Sequence, residues 1–323
     1  MTTTWLVTGA AGFIGANLSA YLLARGASVV GLDDLSTGAV ANVGRITDAG
    51  GERFRFVQGS VDDLALVADV VGGCDVVVHL AGQVSVQHAL AFPLRTNQVN
   101  VTGFLTVAEA AAQARVKKLV YASSCAVYGE SDGAPIAETA PTHGATLYAA
   151  SKLSNELYAE SLRNKYEETD FIGLRFFNVF GPWQSHTNAY AAVIARWTAA
   201  LVGGERPILF GDGSATRDFC FVENVCAAIY AVATTELAGS ERVFNIGTGK
   251  ATTLSELYDA ICAALSQRGM RMPGEGPDRH AWRSGDLLHS CADISLASRL
   301  FNYRPEIDLA EGLRRLIMEE YPL

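Results

Sequence analysis

The period of the hydrophobic pattern changes along the chain, and each change marks an element. Trp5-Leu6-Val7, Ser28-Val29-Val30-Gly31-Leu32, Asp75-Val76-Val77-Val78-His79-Leu80 and Lys118-Leu119-Val120-Tyr121-Ala122 are short apolar runs without in-out alternation. Such runs suit strands covered on both faces of a parallel sheet. Phe54-Arg55-Phe56-Val57 alternates and reads as the third strand in chain order, and Phe171-Ile172-Gly173-Leu174-Arg175-Phe176 reads as the sixth. Helical segments fall between them, the first over about 16–25. The regular exchange of strand and helix predicts an α/β fold: a doubly wound parallel sheet with right-handed crossovers. The breaker Gly181-Pro182 marks an exit into a smaller domain. Beyond it, 222–232 reads as helix and Arg242-Val243-Phe244-Asn245-Ile246 as strand. Segments 254–265 and 308–319 predict amphipathic helices, with Gly274, Gly276 and Pro277 marking a mobile loop between them.

The first strand runs into Thr8-Gly9-Ala10-Ala11-Gly12-Phe13-Ile14-Gly15. Gly9 permits a tight turn, Gly12 lets backbone approach a pyrophosphate, and Gly15 lets the next helix pack close to the sheet, its N-terminus toward the phosphates. Strand, glycine loop and helix arrive in the order that dinucleotide binding requires. Asp33 ends the second strand about 20 residues on, where an acid accepts hydrogen bonds from the adenosine ribose and repels a 2′-phosphate, so NAD is expected over NADP. Asp33 and Asp34 can equally open a turn with Ser36 and Gly38. Ligands of such sheets lie beyond the carboxyl ends of the strands, where Ala81-Gly82, Ser123-Ser124 and Asn178 fall. His79 sits inside a buried run and reads as a core residue.

In Thr146-Leu147-Tyr148-Ala149-Ala150-Ser151-Lys152 a phenol and an ammonium stand four residues apart at the head of a helix, on one face. A neighbouring cation stabilises a phenolate, so Lys152 is expected to lower the pKa of Tyr148 and let it exchange a proton with a sugar hydroxyl. Taken alone the pair is common on helix surfaces; the dinucleotide pattern upstream gives it a task.

Composition narrows the partners. A chain of 323 residues, nearly half hydrophobic, suits two modest domains or one large α/β unit. Its net charge of -9 argues against nucleic acid, whose phosphates call for a basic stripe, so an anionic ligand must be held by local arginines. The six cysteines form no C-x-x-C pair and no zinc-like cluster, so free thiols in a reducing compartment and no metal are expected. The strand pattern starts at Thr4 and no apolar run is long enough to span a bilayer, so the expected address is the cytoplasm, with no membrane partner.

The blocks VTGAAGFIG, LDDLSTG, HLAG, YASSCAVYG, YAASK, RFFNVFGP, GDGSATRDF and RSGDLLHSCAD resemble the extended short-chain dehydrogenase/reductase superfamily, and closely its nucleotide-sugar 4-epimerases. RFFNVFGP followed by NAYAAVI-x-x-W, together with RDFCFVENV, is most similar to the UDP-N-acetylhexosamine 4-epimerases of bacterial surface-polysaccharide pathways. The resemblance implies a Rossmann domain over 1–180, to which about 220–248 returns, and a nucleotide-sugar domain from 181–219 and 249–323. It implies NAD contacts from Gly9, Gly12, Phe13, Ile14 and Gly15, from Asp33, Asp34, Ser36 and Gly38, and from Ser60 and Val61. Leu80, Ala81, Gly82, Asn100, Tyr148 and Lys152 complete the cofactor set. Ser124 would bond the sugar O4, Tyr148 act as acid and base, and Lys152 serve as its cation while holding the nicotinamide ribose. Ser85, Ser123, Cys125, Asn178 and Asn188 are implied in the substrate site, with Ile208 and Phe210 at the uracil edge. Arg217 and Arg283 would clamp the diphosphate and Asp286 meet a ribose hydroxyl. Ser290 stands where a bulky Tyr restricts some relatives, making room for a 2-acetamido group. A homodimer is implied through the helix carrying Tyr148 and the one over about 100–115.

The implied activity is NAD-dependent C4 epimerisation of a UDP-sugar, UDP-GlcNAc/UDP-GalNAc first, through a 4-keto sugar. A UDP-uronic acid 4-epimerase, a UDP-hexosamine 5,6-dehydratase and a non-catalytic NAD-sensing protein are the alternatives. Four departures from the family pattern stand out: Leu147 in place of Pro before the tyrosine, Ser60 in place of an acid, Cys125-Ala126 in place of the acidic pair that eliminates water, and an altered substrate loop at Gln184, His186 and Asn188.

Overall fold

In the computed structural model the described residues are 2–185, 193–270, 273–282 and 288–322. Among them, seven strands pair in parallel as one sheet: β1 (Thr4–Thr8), β2 (Ser28–Asp33), β3 (Phe54–Gln58), β4 (Val76–His79), β5 (Lys118–Ser124), β6 (Asp170–Phe176) and the strand Val243–Ile246. Their order is Val243–Ile246, β6, β5, β4, β1, β2, β3. The chain winds one way from β1 through β3 and the other way from β4 onward. Between β1 and β4 the crossovers leave in opposite directions, which opens a crevice beyond the carboxyl ends of the strands.

Alternation within each strand divides the core. Trp5 and Val7 of β1 face the cluster that holds Leu18, Leu22, Ile46, Val225 and Ile229, from helices Phe13–Ala24, Val40–Gly50 and Val222–Thr234. Leu6, between them, faces Val67, Val70, Phe104, Val107 and Ala159, from helices Leu64–Val71, Gly103–Gln113 and Leu147–Lys165. Every one of these side chains is buried. The sheet is apolar on both faces because helices cover both.

Several boundaries differ from the expectation for physical reasons. The first helix starts at Phe13, not near 16, because Gly12 is extended (φ -76°, ψ 172°) and the chain turns straight into helix after it. The segment expected as a mobile loop runs from Gly276-Pro277 into a short strand, Asp278–His280, paired in parallel with Ile208–Phe210. A helix over Val193–Val202 and a π-helical turn over Gln98–Thr102 went unforeseen. No described helix is long and apolar enough to cross a membrane.

One polar pair lies deep in the fold. Arg175 of β6 donates to both carboxylate oxygens of Glu156 at 2.9 and 2.6 Å, and both side chains are 7% exposed. Removing one partner strands a charge in a low-dielectric interior, whereas replacing both with apolar groups of similar volume does not. Arg175→Ala should therefore lower unfolding stability by about 3–5 kcal/mol in urea, and an Arg175→Met, Glu156→Leu double variant should recover most of it.

Candidate active site

At the mouth of the crevice Gly9 has φ +71°, and a Cβ there would meet the Ala81 amide at 2.8 Å. A Cβ on Gly15 would lie 2.1 Å from the Gly9 carbonyl, so only glycine lets the helix approach this closely. Phe13, Ile14 and Gly15 form the first turn of the helix, and no side chain caps its amides. Such amides are ready donors to phosphate oxygens. Asp33 accepts from the Ala11 amide at 2.9 Å and from the Leu35 amide at 2.8 Å, which ties β2 to the glycine loop. Burial raises its pKa, offset in part by these bonds. The carboxylate keeps lone-pair capacity for a ribose hydroxyl beyond these backbone bonds.

Asp34 does the turn-opening work: its Oδ1 accepts from the Ser36 amide at 2.9 Å and the Ser36 hydroxyl at 2.6 Å. Gly38 packs against this acid cluster, since a Cβ there would lie 2.8 Å from Asp33 Oδ1. Past β3, the Ser60 hydroxyl bonds Asp62 and lowers its pKa, while buried Val61 packs on Gly103. Leu80, Ala81 and Gly82 follow β4. Buried Asn100, within the π-helical turn, accepts from the Gln83 amide at 2.6 Å and donates to the Gln83 carbonyl at 3.0 Å and to Ser151 Oγ at 2.9 Å. It thereby joins the loop after β4 to the helix that carries Tyr148. A π-turn widens the helix locally and re-aims the side chain within it. The uncapped first turn, the Cβ-free cradle and the acceptor at the end of β2 fit a dinucleotide such as NAD.

The helix Leu147–Lys165 starts without a proline because Thr146 caps it, its hydroxyl accepting from the Ala149 amide at 3.1 Å. The cap sets the entry geometry that the missing ring would have set. Tyr148 and Lys152 are both buried. The Ser124 hydroxyl, at the end of β5, is near enough to the Tyr148 phenol to act on its pKa. Lys152 Nζ donates to the Ala122 carbonyl at 2.9 Å. Contrary to expectation, the phenol's pKa is not lowered: burial pushes Tyr148 up to about 12, and what works against this is the Ser124 hydroxyl, not the ammonium. Burial likewise lowers Lys152 to about 8. His79, bonded to Thr8 Oγ1 at 2.9 Å, is a neutral core residue, its pKa lowered to about 3 by burial.

Cys125 follows Ser124, and burial pushes its thiol up to about 11. The Ser290 hydroxyl lies 4.0 Å from its sulfur, and Arg217 is near enough to act on its charge. Asn178, Ile208, Phe210 and Arg217 line one cavity of about 270 Å³, and buried Asn178 Nδ2 has no partner among the described residues. Sequence reasoning missed Trp282, Arg196 and Trp197 on the same cavity; the first immediately precedes Arg283, and the last stands in the NAYAAVI-x-x-W block. Arg283, Asp286, Asn188 and His186 lie outside the described residues.

Two expected substrate serines have partners within the protein. The Ser123 hydroxyl donates to Glu156 inside the domain, because successive residues of β5 point to opposite faces. Ser85 caps the helix Val86–Ala91 through the His88 amide at 3.1 Å.

The family model described as "NAD dependent epimerase/dehydratase family" matches residues 5–247. A UDP-glucose 4-epimerase of Mycolicibacterium smegmatis is 39% identical over 318 residues, covering 97% of this chain and 96% of that protein. The UDP-N-acetylglucosamine 4-epimerase of Methanobrevibacter ruminantium, solved in complex with UDP-N-acetylmuramic acid, is similar with a TM-score of 0.90 and 33% identity over 98% of both chains. The UDP-glucose 4-epimerase of Thermus thermophilus, solved in complex with NAD, gives a TM-score of 0.84 and 30% identity over 98% of both chains.

The buried ammonium yields a pH signature. Between about 8 and 10.5 the unfolded chain keeps the Lys152 proton and the folded chain has lost it, so stability rises with pH across that window. The penalty is full below pH 8 and fades toward 10.5. In urea unfolding of the ligand-free protein, wild type should therefore gain on Lys152→Met as pH rises from about 7.5 to about 10. A constant difference between the two would refute this.

Proposed function

Because the chain belongs to the NAD dependent epimerase/dehydratase family, we propose that it interconverts the C4 epimers of a UDP-N-acetylhexosamine, UDP-GlcNAc and UDP-GalNAc. NAD is its cofactor, and UDP-sugar 4-epimerases stand among its relatives along nearly the whole chain. The observation that carries the reading is the burial of Tyr148 and Lys152 together beside Ser124, at the carboxyl end of β5.

In this reading Tyr148 removes the C4 hydroxyl proton and later returns it. NAD, when bound, would supply the hydride acceptor and donor, and the positive charge of its oxidised form would work against the burial that keeps the phenol neutral. Ser124 donates to the phenol oxygen and so stabilises the phenolate. Lys152, held by the Ala122 carbonyl, supplies donors to the nicotinamide ribose. Arg217 and Asn178 grip the diphosphate end, leaving the hexose loose enough to present its other face. Binding energy from this unreactive end positions the reacting carbon.

The N-acetyl preference is supported by Ser290, a small residue beside Cys125. Cys125 followed by Ala126 supplies no acid pair, and its thiol stays protonated near neutral pH, which favours epimerisation over dehydration. A homodimer is supported by exposed apolar side chains on and beside the helix of Tyr148, namely Leu157, Tyr158, Leu90, Phe92 and Leu94. The activity fits a cytoplasmic enzyme.

With NAD and UDP-GlcNAc, the sugar H4 signal in NMR should show the galacto epimer. Tyr148→Phe should lower kcat by about 100-fold or more while NAD binding persists. Loss of H4 with a new alkene signal would instead indicate a dehydratase, and much faster turnover of UDP-glucose or a UDP-uronic acid would reassign the sugar. Light scattering should return twice the chain mass; a monomer mass would remove the dimer.

A further inference from the structure

A continuous polar chain runs beneath the site and reaches it at both ends. It starts at Ser123, next to Ser124, whose hydroxyl donates to Glu156. Glu156 pairs with Arg175, and Arg175 donates to the Tyr128 hydroxyl at 2.7 Å. Tyr128 donates to Asn245 Oδ1 at 2.7 Å. Asn245 Nδ2 then donates to the Ile136 carbonyl at 2.8 Å and the Asp293 carbonyl at 3.2 Å. Ile136 pairs with the segment that follows Ser290: its amide donates to the Cys291 carbonyl at 2.8 Å, and the Asp293 amide donates back to it at 2.9 Å.

Ser123, Glu156, Arg175, Tyr128 and Asn245 are all buried. Burying polar groups gives little net stability over an apolar filling, yet their directional bonds admit one arrangement where apolar contacts admit several. Tyr128 also closes the short helical turn Cys125–Tyr128, so it fixes Cys125 from one side while Asn245 fixes the Ser290 segment from the other.

We propose that Tyr128 and Asn245 are positioning residues that hold the wall carrying Ser290 at a set distance from the Ser124–Tyr148 pair, and thereby set which substituent at the sugar's C2 is accepted. This rests on the UDP-hexosamine reading above. Neither side chain touches the reacting atoms; both act through the segments they join.

The test compares kcat/KM for UDP-GlcNAc and UDP-glucose in wild type, Tyr128→Phe and Asn245→Ser, each with NAD. Tyr128→Phe removes one hydroxyl at constant shape and should change the ratio of the two by about fivefold or more, with the Kd for UDP alone within about twofold of wild type. Asn245→Ser should change it in the same direction. Val225→Ala, in the core on the other face of the sheet, serves as a stability control and should lower Tm with the ratio unmoved. If Tyr128→Phe lowers Tm as the control does and keeps the wild-type ratio, the two residues are structural only and the proposal is overturned. Should wild type itself turn over neither sugar, the proposed function falls, and this inference with it.

Discussion

Parallel pairing carries the carboxyl ends of all seven strands to one edge of the sheet, and the reversal of winding between β1 and β4 opens that edge. The constraint is geometric: crossover helices cannot cover the point where they leave in opposite directions. Gly9 from β1, Ala81 and Gly82 from β4, Ser124 from β5 and Lys152 from the next helix meet there for that reason. A hypothetical Cβ on Gly82 would lie 3.4 Å from Lys152 Nζ and 3.3 Å from Asn100 Oδ1, which shows how tightly these separate segments converge.

Burial at this edge sets the electrostatics. The same loss of water pushes Tyr148 up to about 12 and Lys152 down to about 8, so each group leans toward its neutral form. A phenol and an amine placed together in water would favour the charged pair far more. The protein alone therefore holds Tyr148 as a neutral phenol.

The surroundings of the Arg217 cavity are assembled differently, from short pieces instead of one sheet. Asn178–Phe180 pairs with Phe219–Phe221, Ile208–Phe210 with Asp278–His280, and Thr216–Arg217 with Thr252–Thr253. Asp218, fully buried beside Arg217, ties this block to the chain after Val243–Ile246 and to the segment after Ser290: its carboxylate accepts from Thr248, Gly249 and Ala292 amides at 2.7, 2.9 and 3.2 Å. One acid in the arginine's own block thus anchors the neighbours of both the sheet and the Ser290 segment.

The sequence by itself determined the alternation of strand and helix, the glycine loop, Asp33 and the Tyr148/Lys152 spacing, because each is a local pattern whose meaning lies within a few residues. It also carried the family blocks. Only the tertiary structure decided that Ser123 faces Glu156 and not the pocket, that Asp34 opens a turn, that Thr146 replaces the absent proline as the helix starter, and that Trp282 lines the cavity. It alone revealed that Tyr148 is held as a phenol. Those outcomes depend on which face of a strand is covered, how much water is excluded and which distant segment arrives beside a side chain, and these are properties of packing that no stretch of chain contains.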